Sequence, residues 1–168
     1  ESTGEYVLRV GNVTHHGSPA FVYRVEISTL PFVQFAFPAG GQAGSRRRVR
    51  FHMLSGTETP RVIEQDVLFP KTSASIWNMR DRTLSSNGIA FSVDENPGIV
   101  ESEPNNTTDK AMRVSLPVTV DGHSLSPSDA DWFRFEARKG TRYTLSCAAA
   151  RQGSSSLPTL LLQDASGK

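Results

Sequence analysis

Alternation between apolar and polar residues is the property of this 168-residue chain that most constrains its fold. Successive side chains of an extended strand project to opposite faces, so every second residue shares a face. The segment 46–54 shows the pattern well, and one of its faces would carry Arg47, Val49, Phe51 and Met53. No segment shows the spacing of three and four residues that is typical of an amphipathic helix. The pattern therefore predicts an all-β protein.

The first two groups of predicted strands lie before residue 97. Residues 5–10 and 21–27 predict a hairpin-like pair around the loop 15–19. Residues 30–96 are expected to form a small all-β module, with further strands at 33–37, 62–63, 67–69, 75–77 and 89–93.

A third group of strands is expected after a linker at 94–98. These strands lie between Gly, Ser or Pro residues, at 111–120, 131–137, 142–148 and 159–163. In the second of them Asp131, Phe133 and Phe135 share a face. We therefore expect the two phenylalanines to fill a core, with Asp131 at its mouth.

Composition and charge narrow the classes of partner. The formal net charge of +1 gives no argument for binding nucleic acid or an anionic membrane. No apolar run is long enough to cross a bilayer, and no secretory signal pattern is present. The chain begins at Glu1 rather than Met, so we expect it to be a piece of a longer protein. Its one cysteine, Cys147, excludes an internal disulfide and is expected to be a small buried core residue.

Two acidic runs are the strongest functional signal. Glu101 and Glu103 are two residues apart, so an extended backbone aims both carboxylates at one point, and Asp129 and Asp131 have the same spacing on a second segment. The turn after Pro104 adds amide and main-chain oxygens, supplied by Asn105 and Asn106. Four carboxylates held close together repel one another unless a cation lies among them. Because Ca²⁺ prefers about six to eight oxygen ligands, the runs predict a calcium site that joins two segments. The alternative is a solvated acidic loop.

Two other polar clusters have simpler interpretations. Arg46, Arg48 and Arg50 form a basic run, but the alternation places them on a solvent face, and a nucleic-acid patch would interleave more aromatic residues. His15 and His16 are expected in a solvent loop rather than in a zinc site, because neighbours in a loop point apart and no cysteine is near.

Evidence for an enzyme is weak. The serines at 154–156 lack the pattern of a nucleophile elbow, and nothing in the sequence links His52 or His123 to a nucleophile or an orienting acid. Trp77 and Trp132 are expected to pack in or around the core rather than to stack on a sugar or peptide.

Residues 101–168 resemble the beginning of a bacterial pre-peptidase C-terminal domain, a β-sandwich related to the collagen-binding domains of clostridial collagenases. The matching points are E-x-E-P-N-N at 101–106, Gly122, D-x-D-W-F-x-F at 129–135 and A-R-K-G at 137–140. The resemblance implies a jelly-roll-like β-sandwich over residues 97–168. It also implies a calcium ion held by Glu101, Glu103, Asn105, Asn106, Asp129 and Asp131. The sequence departs from some relatives at His123 and Ser128, where they carry acidic residues, which implies a smaller ligand set.

The remaining segments resemble the neighbours of such a domain. Residues 3–10 and 23–27 resemble the closing hairpin of a preceding copy, which implies a boundary near residue 29. The segment that begins at Pro31 resembles the start of an immunoglobulin-like module in large secreted planctomycete proteins, which implies a small immunoglobulin-like β-sandwich over 30–96. By type, residues 1–29 are the strands that 97–168 lacks. They are therefore expected to complete that sandwich, within one chain or by strand exchange between two chains.

The sequence as a whole predicts a non-enzymatic, calcium-binding segment of a larger secreted or cell-surface protein, serving adhesion, substrate targeting or spacing. The expected partners are an extracellular protein or polysaccharide and the neighbouring domains of the same polypeptide, with no nucleic acid or membrane partner. Two alternatives stay open. The first is an accessory domain that contributes to the activity of a secreted hydrolase or peptidase, and the second is a structural spacer without a metal.

Overall fold

The structure, a computed structural model, describes residues 3–54, 61–149, 154–164 and 167. Within them all regular elements lie between residues 32 and 134. The strands are β1 Phe32–Phe37, β2 Gly40–Gln42, β3 Arg46–Leu54, β4 Arg61–Leu68, β5 Ala74–Met79, β6 Ile89–Asp94, β7 Gly98–Val100, β8 Met112–Arg113, β9 Thr119–Asp121 and β10 Phe133–Arg134, with a 3-10 turn at Thr108–Lys110. In these described parts of the chain, no helix has the length and apolar character needed to cross a bilayer. The prediction of an all-β protein is confirmed.

Two three-stranded sheets make up the central module. One has the order β1-β3-β4 with antiparallel neighbours, and the other has the order β2-β6-β5. Strand β6 pairs antiparallel with β5 and parallel with β2. Buried apolar side chains from both sheets belong to one cluster, which is how the layers of a β-sandwich share a core.

Aromatic rings dominate this core. Phe51 of one sheet and Phe91 of the other are fully buried, with ring centroids 6.3 Å apart in an edge-to-face arrangement. Phe69 lies against Phe91 at 5.5 Å, and Trp77 packs on both. Gly41 lets β2 approach this layer, since a Cβ there would lie 2.6 Å from the ring of Phe69. The expectation that Trp77 packs around the core is confirmed.

Predictions for the central module agree closely with the structure. Strand β3 has the predicted bounds, and the face that carries Val49, Phe51 and Met53 is buried, whereas Arg46, Arg48 and Arg50 are exposed. The two short strands expected at 62–63 and 67–69 are one continuous strand, β4. Strand β2 was not predicted, because its two glycines read as a turn.

Residues 3–29 differ from the prediction. The segments 5–10 and 21–27 form no strand, and every side chain from residue 3 to residue 29 is exposed. Alternation provides an apolar face, but a strand needs both a hydrogen-bonded neighbour and a layer that covers this face. Within the described residues, neither segment is paired in a sheet, and no layer covers the apolar side chains. The prediction of a hairpin at these residues is therefore wrong for the structure, while the assignment to a preceding domain stays a prediction.

Residues 97–134 form two short parallel pairs, β7 with β9 and β8 with β10. In the described part of the chain after Arg134 there is no strand, so the segments 142–148 and 159–163 differ from the prediction. Phe133 is exposed and Phe135 only half-buried, so the expected core is not formed by these residues. Cys147 is exposed rather than buried. Each expectation assumed a covering sheet that the described residues do not supply.

Candidate metal centre

Two strand ends bring the acidic runs together. The run that begins at Glu101 follows β7, and the main-chain N–H of Glu101 donates to the carbonyl of Asp121 at the end of β9, at 2.9 Å. Further along, the N–H of Trp132 donates to the carbonyl of Asn105 at 3.0 Å. Asp131, the residue before Trp132, is thereby placed beside the first run. The sequence spacing predicted this meeting of two segments.

Glu101, Glu103 and Asp131 form a group of three carboxylates. One oxygen from each lies within 4.8 Å of the others. Glu101 is half-buried, whereas the other two are exposed to solvent. This acidic trio contains three of the six residues that were predicted to hold calcium.

Backbone groups fix the orientation of two of these carboxylates. The N–H of Asn105 donates to Glu103 Oε2 at 2.9 Å, and the N–H of His123 donates to Glu101 Oε1. Gly122 leaves room for Glu101, because a Cβ at that position would lie 2.5 Å from Oε2. The carboxylate of Glu101 is therefore enclosed by main chain on two sides.

Asn105 is the most unusual residue of the site. Its side chain is fully buried, and neither its Oδ1 nor its Nδ2 has a hydrogen-bond partner. Glu101 Oε2 is also buried without a partner. A buried polar atom without a partner costs about 1–3 kcal/mol, and more for a charged group. A cation would remove that cost for whichever of these oxygens coordinates it, whereas the Nδ2 of Asn105 would still need an acceptor.

Like charges determine the electrostatics of the trio. Burial, followed by the negative charges of Glu101, Asp129 and Glu103, raises the pKa of Asp131 to about 6. Among the described residues, none of the three carboxylates of the trio forms an ion pair with Lys or Arg. The trio therefore favours a proton or a metal cation over three uncompensated charges.

The other two predicted ligands, Asp129 and Asn106, are not members of the trio. Asp129 accepts a hydrogen bond from the N–H of Leu125 through Oδ2, which closes its own loop, although its charge still reaches Asp131. Asn106 is exposed. The role of both residues as ligands stays a prediction.

The donor set suits a hard cation. Glu101, Glu103, Asp131 and the amide oxygen of Asn105 all offer oxygen, and the trio includes no thiolate or imidazole. Carboxylates bind Ca²⁺ through one or both oxygens, and water fills the remaining positions. The three carboxylates lie close enough to share one ion, and Asn105 offers an amide oxygen on the segment that carries two of them. Thiolate or imidazole ligands would instead have favoured zinc or copper.

Sequence reasoning missed the contacts that connect this site to the central module. Asp121 pairs with Arg47 at 2.7 Å, and burial raises the pKa of the Asp121 carboxyl although the guanidinium acts to lower it. The ring of His123 lies on Phe37 of β1, with centroids 3.7 Å apart. Burial lowers the pKa of His123, and the nearby charge of Arg50 lowers it further. The alternation in the sequence placed Arg47 only on the same strand face as Val49, Phe51 and Met53.

The two histidines considered for catalysis have packing roles in the structure. His52 stacks on Phe35 across the β1–β3 pair at 4.1 Å, and His123 lies on Phe37. Burial lowers the pKa of His52, with further contributions from the charges of Arg50 and His123. Both rings therefore lie against aromatic neighbours.

Comparisons of this chain with models of protein families, with curated proteins and with solved structures gave no match.

Proposed function

We propose that this chain is a non-catalytic, calcium-binding β segment of a larger secreted or cell-surface protein, serving adhesion, substrate targeting or spacing. One observation carries the proposal: the buried side chain of Asn105, unpartnered at both amide atoms, lies on the same segment as two carboxylates of the acidic trio. Acidic residues on a surface are common and need no ion. A fully buried amide without a partner is rare, and a bound cation would give its oxygen a partner.

Calcium is the ion that the site would take. Its coordination sphere is flexible and accepts carboxylate, amide and water oxygens together, whereas Mg²⁺ demands a near-ideal octahedron. Two members of the trio are exposed, so part of the coordination sphere would be water. Extracellular modules of this type bind Ca²⁺ with Kd of about 10⁻⁴ to 10⁻³ M, which matches the proposed location. At 1 mM calcium such a site would add about 0.4–1.4 kcal/mol of stability by mass action.

The role in adhesion or spacing rests on the resemblance of residues 101–168 to pre-peptidase C-terminal domains. His52 and His123 lie on phenylalanine rings. The exposed Arg48 lies near Glu64 and Asp66, at 3.4 and 3.5 Å, so its charge is partly compensated. These observations support a binding or spacing module over an enzyme or a nucleic-acid binder.

Calorimetric titration with CaCl₂ tests the proposal. We expect the wild-type chain to bind one ion and Asp131→Asn to bind at least about tenfold more weakly, since it removes one ligand charge. Asp109→Asn is the matched control, because Asp109 is an exposed aspartate within residues 97–134 that does not belong to the trio. The titration extends to about 10 mM CaCl₂, roughly ten times the Kd expected of a weak extracellular site. If the wild-type chain shows no heat beyond that of dilution, the metal-free spacer is the better account.

A further inference from the structure

We propose that Arg47, a residue of the central sandwich, is a positioning residue for the metal site: through Asp121 it fixes the segment 121–123 at the end of β9, and this segment holds Glu101 in place for the cation. The inference rests on the proposed function and extends it, since it makes calcium affinity depend on a residue that does not touch the ion.

Arg47 connects the segment 121–123 to the sandwich. Its Nη1 donates to Asp121 Oδ2 at 2.7 Å and to the carbonyl of Gly40 at 2.8 Å. The side chains of Arg47 and Asp121 are 15% and 10% exposed, so the pair is shielded from competing water. A second bond holds the same carboxylate, because the N–H of Ala39 donates to Asp121 Oδ1 at 3.1 Å. Asp121 is therefore fixed at both oxygens by groups of the sandwich.

The segment 121–123 contacts Glu101 at three points. The carbonyl of Asp121 accepts the N–H of Glu101, the N–H of His123 donates to Glu101 Oε1, and the missing Cβ of Gly122 leaves space for Oε2. The segment 121–123 has one more anchor, since the ring of His123 lies on Phe37. Three contacts of Glu101 thus come from residues 121–123. Loss of the Arg47 ion pair would free this segment and, with it, the ligand.

Removal of Arg47 should raise calcium affinity if only its charge matters, and lower it if Arg47 positions a ligand. The direction of the change therefore tests the inference. Removing Arg47 removes a positive charge and leaves Asp121 uncompensated, and both changes attract Ca²⁺ more strongly by Coulomb's law. Loss of orientation weakens binding, because supporting partners of metal ligands typically contribute about 10–100-fold in affinity. We expect the second effect to be larger, since Glu101 is the least exposed member of the trio.

The experiment measures the Kd for calcium by calorimetry in wild type, Arg47→Met and Gly122→Ala. We expect both variants to bind about tenfold more weakly. Gly122→Ala displaces the Glu101 carboxylate without changing any charge or ion pair, and it decides the matter if Arg47→Met does not fold. Arg48→Met is the matched control, because Arg48 is the next residue of β3 and its exposed side chain lies near Glu64 rather than residues 121–123. The Kd of this variant for calcium should equal that of wild type.

A second measurement separates positioning from a general loss of structure. In the background Glu101→Gln, which removes the charge of the positioned ligand, Gly122→Ala should produce little additional loss of affinity, because both changes act through the same side chain. If the fold-losses in affinity of the two variants multiply in the double variant, residues 121–123 affect calcium binding through a group other than Glu101. A folded Arg47→Met or Gly122→Ala protein that binds calcium as tightly as wild type, or more tightly, overturns the inference. A wild-type chain without calcium binding instead overturns the proposed function itself.

Discussion

Arg47 and Asp121 lie 74 residues apart in sequence and form a shielded ion pair, with Nη1 and Oδ2 separated by 2.7 Å. The pair connects strand β3 of the central sandwich with strand β9, which belongs to the segment after the predicted linker at 94–98. The hydroxyl of Thr119 also donates to the carboxylate of Asp94 across the same junction. The linker therefore ends in a fixed contact between the two segments.

Removing one member of this pair is expected to destabilise the protein. Asp121→Ala leaves Arg47 buried without its partner, and the loss should be about 3–5 kcal/mol in the free energy of unfolding. The double variant Arg47→Met/Asp121→Leu removes both charges and should be much closer to wild type. Urea denaturation of the three proteins in the presence of chelator measures this. A double variant as unstable as the single one would mean that the pair does not act as a unit.

The aromatic core of the sandwich gives a second prediction. Phe91 is fully buried between Phe51, Phe69 and Trp77, so Phe91→Ala should lower the free energy of unfolding by about 3–5 kcal/mol. Phe32→Ala is the control on an edge strand, because Phe32 is 48% exposed, and it should cost about 1 kcal/mol or less. Equal losses for the two variants would contradict the placement of this core.

The central sandwich was predictable because its signals are local. Val49, Phe51 and Met53 alternate with polar residues along β3, and this pattern alone identifies the strand and its buried face. Residues 5–10 show the same alternation but form no strand. Alternation reports a face that can be buried, and only tertiary neighbours determine whether it is buried.

The candidate site was predictable in part for the same reason. The spacing of Glu101 and Glu103 placed both in one group, and Asp131 joined them as expected. The clamp between Arg47 and Asp121 was not predictable, because it depends on the packing of β9 against the sandwich and leaves no local pattern in the sequence. Asp129 has the same spacing as Glu101 and Glu103 but turns to its own loop, where the N–H of Leu125 holds it.

The raised pKa of Asp131 predicts how stability depends on pH without metal. Its pKa is about 6 in the folded protein, against a usual value of 3.8. The folded state therefore binds more protons than the unfolded chain between these values, so the contribution of this carboxyl to stability is present below pH 3.8 and is lost as the pH rises through 6. In chelator, the Tm of Asp131→Asn relative to wild type should therefore increase from pH 4 to pH 7.

The difference between the two Tm values at each pH removes most of the pH dependence that comes from titratable groups common to both proteins. At pH 7, saturating calcium should raise the Tm of wild type much more than that of Asp131→Asn, because the ion replaces the proton as the partner of the carboxylate. A Tm difference that stays constant across this pH range would contradict the close approach of the carboxylates.

Trp132 provides an optical probe of the site. It follows Asp131, and its N–H donates to the carbonyl of Asn105. Terbium(III), a hard ion that takes oxygen ligands as calcium does, should bind at the trio and emit when the indole is excited. Trp132→Phe should abolish this emission, whereas Trp77→Phe, a change in the core of the sandwich, should retain it. Emission that depends on Trp77 instead would place the ion elsewhere.

The central claim, that calcium binds where the two acidic runs meet, is tested most directly by a ¹H–¹⁵N NMR titration with CaCl₂, which detects weak binding residue by residue. We expect saturable shifts at the backbone amides of 101–106, 121–123 and 129–132, and at the side-chain amide of Asn105, which has no hydrogen-bond partner without the ion. The double variant Glu101→Gln/Asp131→Asn should show none of them. Shifts that are absent in wild type up to about 10 mM calcium, or that persist unchanged in the double variant, would contradict the account.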